Sequence, residues 1–292
     1  MMYELFIKEV KEAVESKVGT GFDVTVNKVT KNNDLVLDGL VIKATDTNIA
    51  PTIYLNGYYE RYEDGAMNLD DVVESIIDTY SRHNSVTFDI STFTDFDAVK
   101  NRICYKLVNT ASNKDLLKDV PHREMFDLSI VYYVVVSVEA NVTGSIIIHN
   151  NHIELWDITE NDLYEFASIN TSKLLPAGIK SMFDTLSEMI DMEDLPNTDD
   201  FMYVLTNKEK LQGASTILYS DVLSTFAEKK NTNLWLIPSS IHEWIIIPDY
   251  GNMNRETLSK MIQEVNGSQL APDEVLSDHP YYFDRLSKVL SA

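Results

Sequence analysis

Cysteine is nearly absent. Cys104 stands alone, so no disulfide can form within the chain, and packing with hydrogen bonds must hold it together. Glycine is scarce as well, with ten in 292 residues, and none falls in Gly-x-x-x-x-Gly-Lys or Gly-x-Gly-x-x-Gly. The phosphate cradles of the common nucleotide folds need those glycines, so nucleotide cofactors are not expected, and no other cofactor is called for. Long apolar runs are missing. No window approaches ~18 consecutive apolar residues, so no membrane span is expected. Basic residues are few, 24 against 46 acidic ones, for a net charge of −22. Their densest spots are isolated pairs such as Lys229-Lys230. Such a surface repels a phosphate backbone, which argues against direct nucleic-acid binding. The start, Met-Met-Tyr-Glu-Leu-Phe-Ile-Lys-Glu-Val, has no basic stretch leading into an apolar run and a small-residue cleavage site. No export signal is therefore read, and the cytoplasm is the simplest compartment.

What is present is an ordinary globular composition, long enough for one large domain or two modest ones. Helical spacing of Tyr3, Phe6, Ile7, Val10, Ala13 and Val14 predicts a helix over 3–18, stopped by Gly19-Thr-Gly21. Alternation at Phe22, Val24 and Val26, the turn formers 31–34 and the run 35–42 predict a hairpin. A segment dense in tyrosine follows, with Tyr54, Tyr58, Tyr59 and Tyr62 read as core. Helices are expected over 69–80 and around 95–109, the latter with Phe96, Val99, Ile103 and Leu107 inward.

A boundary is placed in the weakly patterned stretch ahead of Pro121, giving regions 1–118 and 122–292. The acidic stretch 191–200 is the alternative. Ile130–Val136 is apolar at consecutive positions and reads as a strand covered on both faces. Residues 142–148 and 152–156 would extend it as a meander turning at Asn150-Asn151. Helices are expected over 160–170 (capped by Thr159), 176–190 (opened by Pro176), 221–230, and 255–265 (capped by Asn254, with Leu258, Met261, Ile262 and Val265 inward and Gly267 beyond its end). A last helix, begun by Asp278 and Pro280, would put Tyr282, Leu286, Val289 and Leu290 on its apolar side. Strands are expected at 201–205, 214–219, 233–237 and 244–247. The order predicts an α+β fold with antiparallel or mixed sheets flanked by helices.

Reactive side chains crowd at one place. The run Pro238-Ser-Ser-Ile-His-Glu243 joins two apolar strands and carries Ser239, Ser240, His242 and Glu243. A serine nucleophile needs an imidazole in reach and the imidazole needs an orienting acid. Neighbours on one short loop tend to point apart, so an acid from elsewhere, Asp278 or Glu264, is the better orienter for His242. Against this stands a structural corner, its hydroxyls bonded to free backbone groups and its ring tied to a carbonyl.

His242-Glu243 begins like His-Glu-x-x-His, but Ile246 occupies the second histidine position, which excludes a zincin. His149 and His152 bracket a polar turn without an evident third ligand, so no metal site is assigned. His279 would reach His242 only through the packing of the last segment. Cys104 reads as a small buried hydrophobe.

Asn207, Gly213-Ala214, Tyr219, Pro238–Glu243, Pro248, Glu264-Val-Asn266 and Glu274–Asp278 resemble a family of uncharacterised bacterial proteins, a domain-of-unknown-function group from anaerobic gut bacteria. Lys31-Asn-Asn33 and Pro51–Leu55 fit the same family, and Pro-Ser-Ser-Ile-His-Glu is its most specific segment. The resemblance implies a bacterial, cytoplasmic setting and carries over no activity. The expectation is a non-enzymatic, acidic interaction or regulatory protein with a basic protein partner. A hydrolase-like enzyme using residues 239–243 and a nucleic-acid mimic that inhibits a basic nucleic-acid-binding protein are the alternatives.

Overall fold

A computed structural model describes residues 1–45, 50–83, 93–139, 142–188 and 201–292. It is α+β, and its three sheets are antiparallel. Two compact units are present: one of residues 1–31, 35–95 and 136–145, the other of 32–34, 96–135 and 146–292. The expectation for 191–200 lies outside the described residues.

In the first unit, α1 (Tyr3–Val18) buries Phe6, Val10 and Val14, the stripe its spacing implied, and ends at Gly19 with φ 80°. Strands β1 (Phe22–Thr30), β2 (Val36–Ala44) and β3 (Thr52–Tyr54) form a sheet in that order. Helix α2 (Asn56–Glu63) places Tyr58, Tyr59 and Tyr62 partly buried against the core. Helix α3 (Leu69–His83) closes it with Val72, Val73 and Ile76. Asn68 and Asp71 bond each other's backbone N–H at its start, a reciprocal cap for two otherwise orphaned donors. Buried Asp38 accepts from the Tyr3 hydroxyl and from Lys28 Nζ, both at 2.9 Å.

The second unit departs from the predicted elements where local spacing misled. Residues 95–109 are not one helix. A single turn, α4 (Phe96–Val99), leads through a 3₁₀ turn into strand β4 (Ile103–Asn109). Ile103, Cys104, Tyr105, Leu107 and Val108 are all buried, a near-continuous run that one helix face cannot hide but a covered strand can.

Next come α5 (Lys114–Asp119), β5 (His122–Met125), β6 (Leu128–Glu139) and β7 (Val142–Ile147), of which residues 136–145 belong to the first unit. β6 lies between β4 and β5 and also pairs with β7. Every residue from Leu128 to Val135 is buried, as the unbroken apolar run predicts.

The meander stops there. Residues 150–156 form α6 (Asn150–Trp156) because His152 Nδ1 accepts the His149 N–H at 3.0 Å and starts a helical turn. α7 (Glu160–Leu174) begins at Thr159 as expected, with Asp162 completing the reciprocal cap. Pro176 opens strand β8 (Ala177–Ser181), not a helix, and α8 (Met182–Ser187) starts only after the Ser181 cap.

β9 (Tyr203–Asn207) follows. The stretch 213–218 is a buried 3₁₀ turn in place of the predicted strand. After α9 (Val222–Lys230) come β10 (Leu234–Ser240), β11 (Glu243–Pro248) and α10 (Arg255–Ser268). Leu258 and Ile262 of α10 are buried, but Met261 and Val265 are about half exposed, and Gly267 lies inside the helix. The predicted last helix is a hairpin, β12 (Tyr281–Asp284) and β13 (Val289–Ser291), whose inward residues Tyr281 and Phe283 alternate with period two. Leu286 is exposed at its turn. The six-stranded sheet runs β13-β12-β10-β11-β9-β8.

Burial of Cys104 on β4 pushes its thiol up from 9.0 to about 12, with a bond to Thr171 working the other way. Above pH 9 the unfolded chain therefore gives up this proton first. The stability that the neutral thiol contributes is whole below pH 9 and is lost as pH rises toward 12, at about 1.4 kcal/mol per unit. Urea denaturation between pH 8.5 and 10.5 is expected to show a fall in stability that Cys104→Ala flattens by about that slope. Burial also raises the hydroxyls of Tyr105, Tyr132 and Tyr281 from 10.0, so an alkaline loss that steepens near pH 10 persists in the variant. An unchanged slope would show the thiol free to ionise in place.

Candidate functional site

The β10–β11 hairpin is the centre of the six-stranded sheet. The strands pair from Leu234↔Pro248 to Ser240↔Glu243, with a register shift between Pro238 and Ser240. The pairing absorbs most of the expected loop and leaves Ile241-His242 as the turn. That turn is tied from several sides. The Ile241 N–H donates to the Glu274 carbonyl at 2.9 Å, and the Ile241 carbonyl accepts from the Ala214 N–H at 3.2 Å. The His242 carbonyl accepts from Thr206 Oγ1 at 2.7 Å. Below it the fully buried Trp244 donates from Nε1 to the Ala214 carbonyl at 2.6 Å.

The four reactive side chains are engaged at this corner. Ser240 is buried, and its Oγ accepts the His242 backbone N–H at 3.0 Å. Ser239 Oγ donates to Glu243 Oε1 at 3.2 Å. His242 Nδ1 accepts the Gln212 N–H at 3.1 Å. In a neutral ring, the proton then sits on Nε2, and no ring lone pair is left to take one from a serine. Nε2 points toward Glu274 Oε1 at 3.9 Å, beyond hydrogen-bond range, with both groups partly exposed. What the corner offers solvent is one N–H edge beside one carboxylate, a recognition element more than a proton acceptor.

A family described as "Family of unknown function (DUF5688)" matches residues 3–285. The chain belongs to DUF5688. No curated protein and no solved structure matches it. The Pro238–Glu243 corner thus lies well inside the DUF5688 region.

Of the sequence candidates, this DUF5688 chain brings Ser239, Ser240, His242 and Glu243 together. Asp278 goes elsewhere: its Oδ1 accepts from Asn266 Nδ2 at 2.8 Å. Glu264 is exposed on α10. The acid beside His242 is Glu274, and the group fixing its ring is the Gln212 main chain. Neither had a local signal, because both arrive from distant turns.

His279 meets Asp127, with Nε2 3.2 Å from Oδ1. Asp127 also accepts from the Tyr281 hydroxyl and, at 2.7 Å, from Ser277 Oγ. His279 Nδ1 lies 3.2 Å from the Pro280 carbonyl, so both ring nitrogens face acceptors. His149 Nδ1 pairs with Asp119 at 2.7 Å, and its ring stands edge-on to His152 at 5.5 Å. Burial and the neighbouring His149 lower the pKa of His152. Among the described residues no group of three or more His, Cys, Asp or Glu is placed to hold a metal ion. No helix there is long and apolar enough to cross a membrane.

Proposed function

We propose that this DUF5688 member is a non-enzymatic interaction protein of the bacterial cytoplasm that binds a protein partner through that partner's basic surface. The net charge of −22 is the observation that carries it. It is concentrated locally: between residues 60 and 74 the carboxylates Glu60, Glu63, Asp64, Asp70, Asp71 and Glu74 are exposed, with Arg61 the one cation in that span. Such a face speeds encounter with a basic partner and weakens with salt. The corner supports the same reading, since its serines and imidazole are bonded within the fold. Its Pro-Ser-Ser-Ile-His-Glu segment is then a family signature of architecture, in proteins of gut anaerobes.

The test is capture of a stoichiometric partner by the full chain from its host lysate at physiological salt. The expected partner is basic and is released as salt rises. Glu63→Gln, Asp64→Asn and Asp70→Asn combined are expected to weaken capture about tenfold or more. No stoichiometric partner, or one indifferent to both salt and the triple variant, overturns the reading. If the partner binds nucleic acid and that nucleic acid competes, the protein is a nucleic-acid mimic.

The second reading is a hydrolase-like enzyme. It rests on Glu274, 3.9 Å from His242 Nε2, closing to hydrogen-bond range as orienter, where the sequence pointed to Asp278 or Glu264, and on Nδ1 releasing the Gln212 N–H to act as base. A folded His242→Ala protein whose turnover in a hydrolase screen equals the parent's eliminates it.

A further inference from the structure

Beside the Asp127 network lies a cleft of about 630 Å³ between α5 and the β5–β6 hairpin. That volume falls within the range of small-molecule sites. Its walls carry opposite charges. Lys114 stands on the α5 side, and Glu124 and Asp127 stand on the hairpin side. Neither Lys114 nor Glu124 forms an ion pair among the described residues, although both line the same cleft. The neighbouring Lys118, by contrast, is bound to Asp115 at 2.5 Å.

Asp127 is held in place by its two hydroxyl donors, with His279 Nε2 beside it, yet its side chain is 33% exposed. Each carboxylate oxygen has two acceptor sites, so Oδ2, bonded only to Ser277, keeps one free.

Between the two acids sits Phe126, the first residue of a two-residue turn joining Met125 to Leu128. Its φ of 59° is left-handed, which costs a residue with a Cβ about 1–2 kcal/mol. Burial offsets little of that cost, because the residue is 48% exposed and its ring meets Tyr281 on one side, with centroids 5.9 Å apart. Strain that holds an apolar ring out at the edge of a cleft is what a ligand platform needs. Leu117 and Ala111 supply the rest of the apolar lining.

We propose that this cleft binds a small zwitterion with an apolar side chain, of the class of the hydrophobic α-amino acids. The ammonium group goes to Asp127 and Glu124, the carboxylate to Lys114, and the side chain lies against Phe126 and Leu117. A cation alone leaves Lys114 unanswered, and an anion alone leaves Glu124 so. A lysine on one wall and two acids on the other, over an apolar lining, match a ligand that carries both charges. This site is independent of the acidic face on α2 and α3.

Titration calorimetry on the full chain with L-phenylalanine and L-leucine tests it. Phenethylamine, which lacks the carboxylate, and 3-phenylpropionate, which lacks the amine, are the controls. Saturable binding of at least one amino acid is expected, with each control weaker than L-phenylalanine by about tenfold or more. Lys114→Ala and Glu124→Gln are both exposed and should fold. Each is expected to weaken binding about tenfold, and the pair more than either alone. No saturable heat with either amino acid up to about 10 mM overturns the proposal. So do controls that bind as tightly as L-phenylalanine, or variants that bind as the parent does.

Discussion

Trp244→Ala is expected to lower stability by about 3–5 kcal/mol, the range for emptying a buried tryptophan site. The indole is fully buried, stands edge-on to Tyr281 with ring centroids 5.2 Å apart, and donates to the Ala214 carbonyl. Domains are stable by only about 5–15 kcal/mol, so this loss takes a large part of the total. Trp244→Phe separates the two contributions. It keeps an aromatic ring but leaves a buried carbonyl without its donor, for an expected cost of about 1–3 kcal/mol. Urea denaturation followed by far-UV circular dichroism measures both. A loss under about 1 kcal/mol for the alanine variant would mean that the sheet centre is not packed as described.

Gly213→Ala is expected to cost about 3 kcal/mol for a single methyl group, at the upper end of ordinary overpacking. A Cβ there would meet Thr206 Oγ1 at 2.2 Å, the His242 carbonyl at 2.3 Å and the Asn207 nitrogen at 3.0 Å. The first two atoms are the donor and acceptor of the bond that anchors the corner, so the methyl group displaces that bond. Two of the three obstacles are backbone and cannot rotate away. Gly267→Ala is the control: nothing lies within 4 Å of its Cβ, and the site is inside α10. There alanine should stabilise by about 0.5–1 kcal/mol. The two substitutions should therefore move the urea midpoint in opposite directions. Equal shifts would contradict the close approach at Gly213.

The elements legible in the sequence are those whose local signals agree. α1 and α3 carry a long apolar stripe, α7 has Thr159 before its first turn, and α10 has Asn254. β6 has an apolar run too continuous for a one-sided element. The misreadings share a cause. In 96–109 and 281–290 a few apolar residues fall at helical spacing by coincidence, while neighbours at the other positions are buried as well or alternate. Spacing alone does not reveal whether the opposite face is covered. At 150–156 the deciding contact is an imidazole accepting a backbone N–H, a cap that residue type does not advertise.

The candidate site divides in the same way. The sequence alone located the Pro238–Glu243 corner, the absence of phosphate-cradling motifs and the acid excess, because each depends only on residue order and composition. Which groups meet His242 was decided by tertiary structure. Gln212 and Glu274 lie about 30 residues away on either side, and they arrive only because Gly213 and the 272–274 turn pack against the hairpin. A ring's protonation and reach depend on the atoms around it in space, and a linear order of residues does not contain that information.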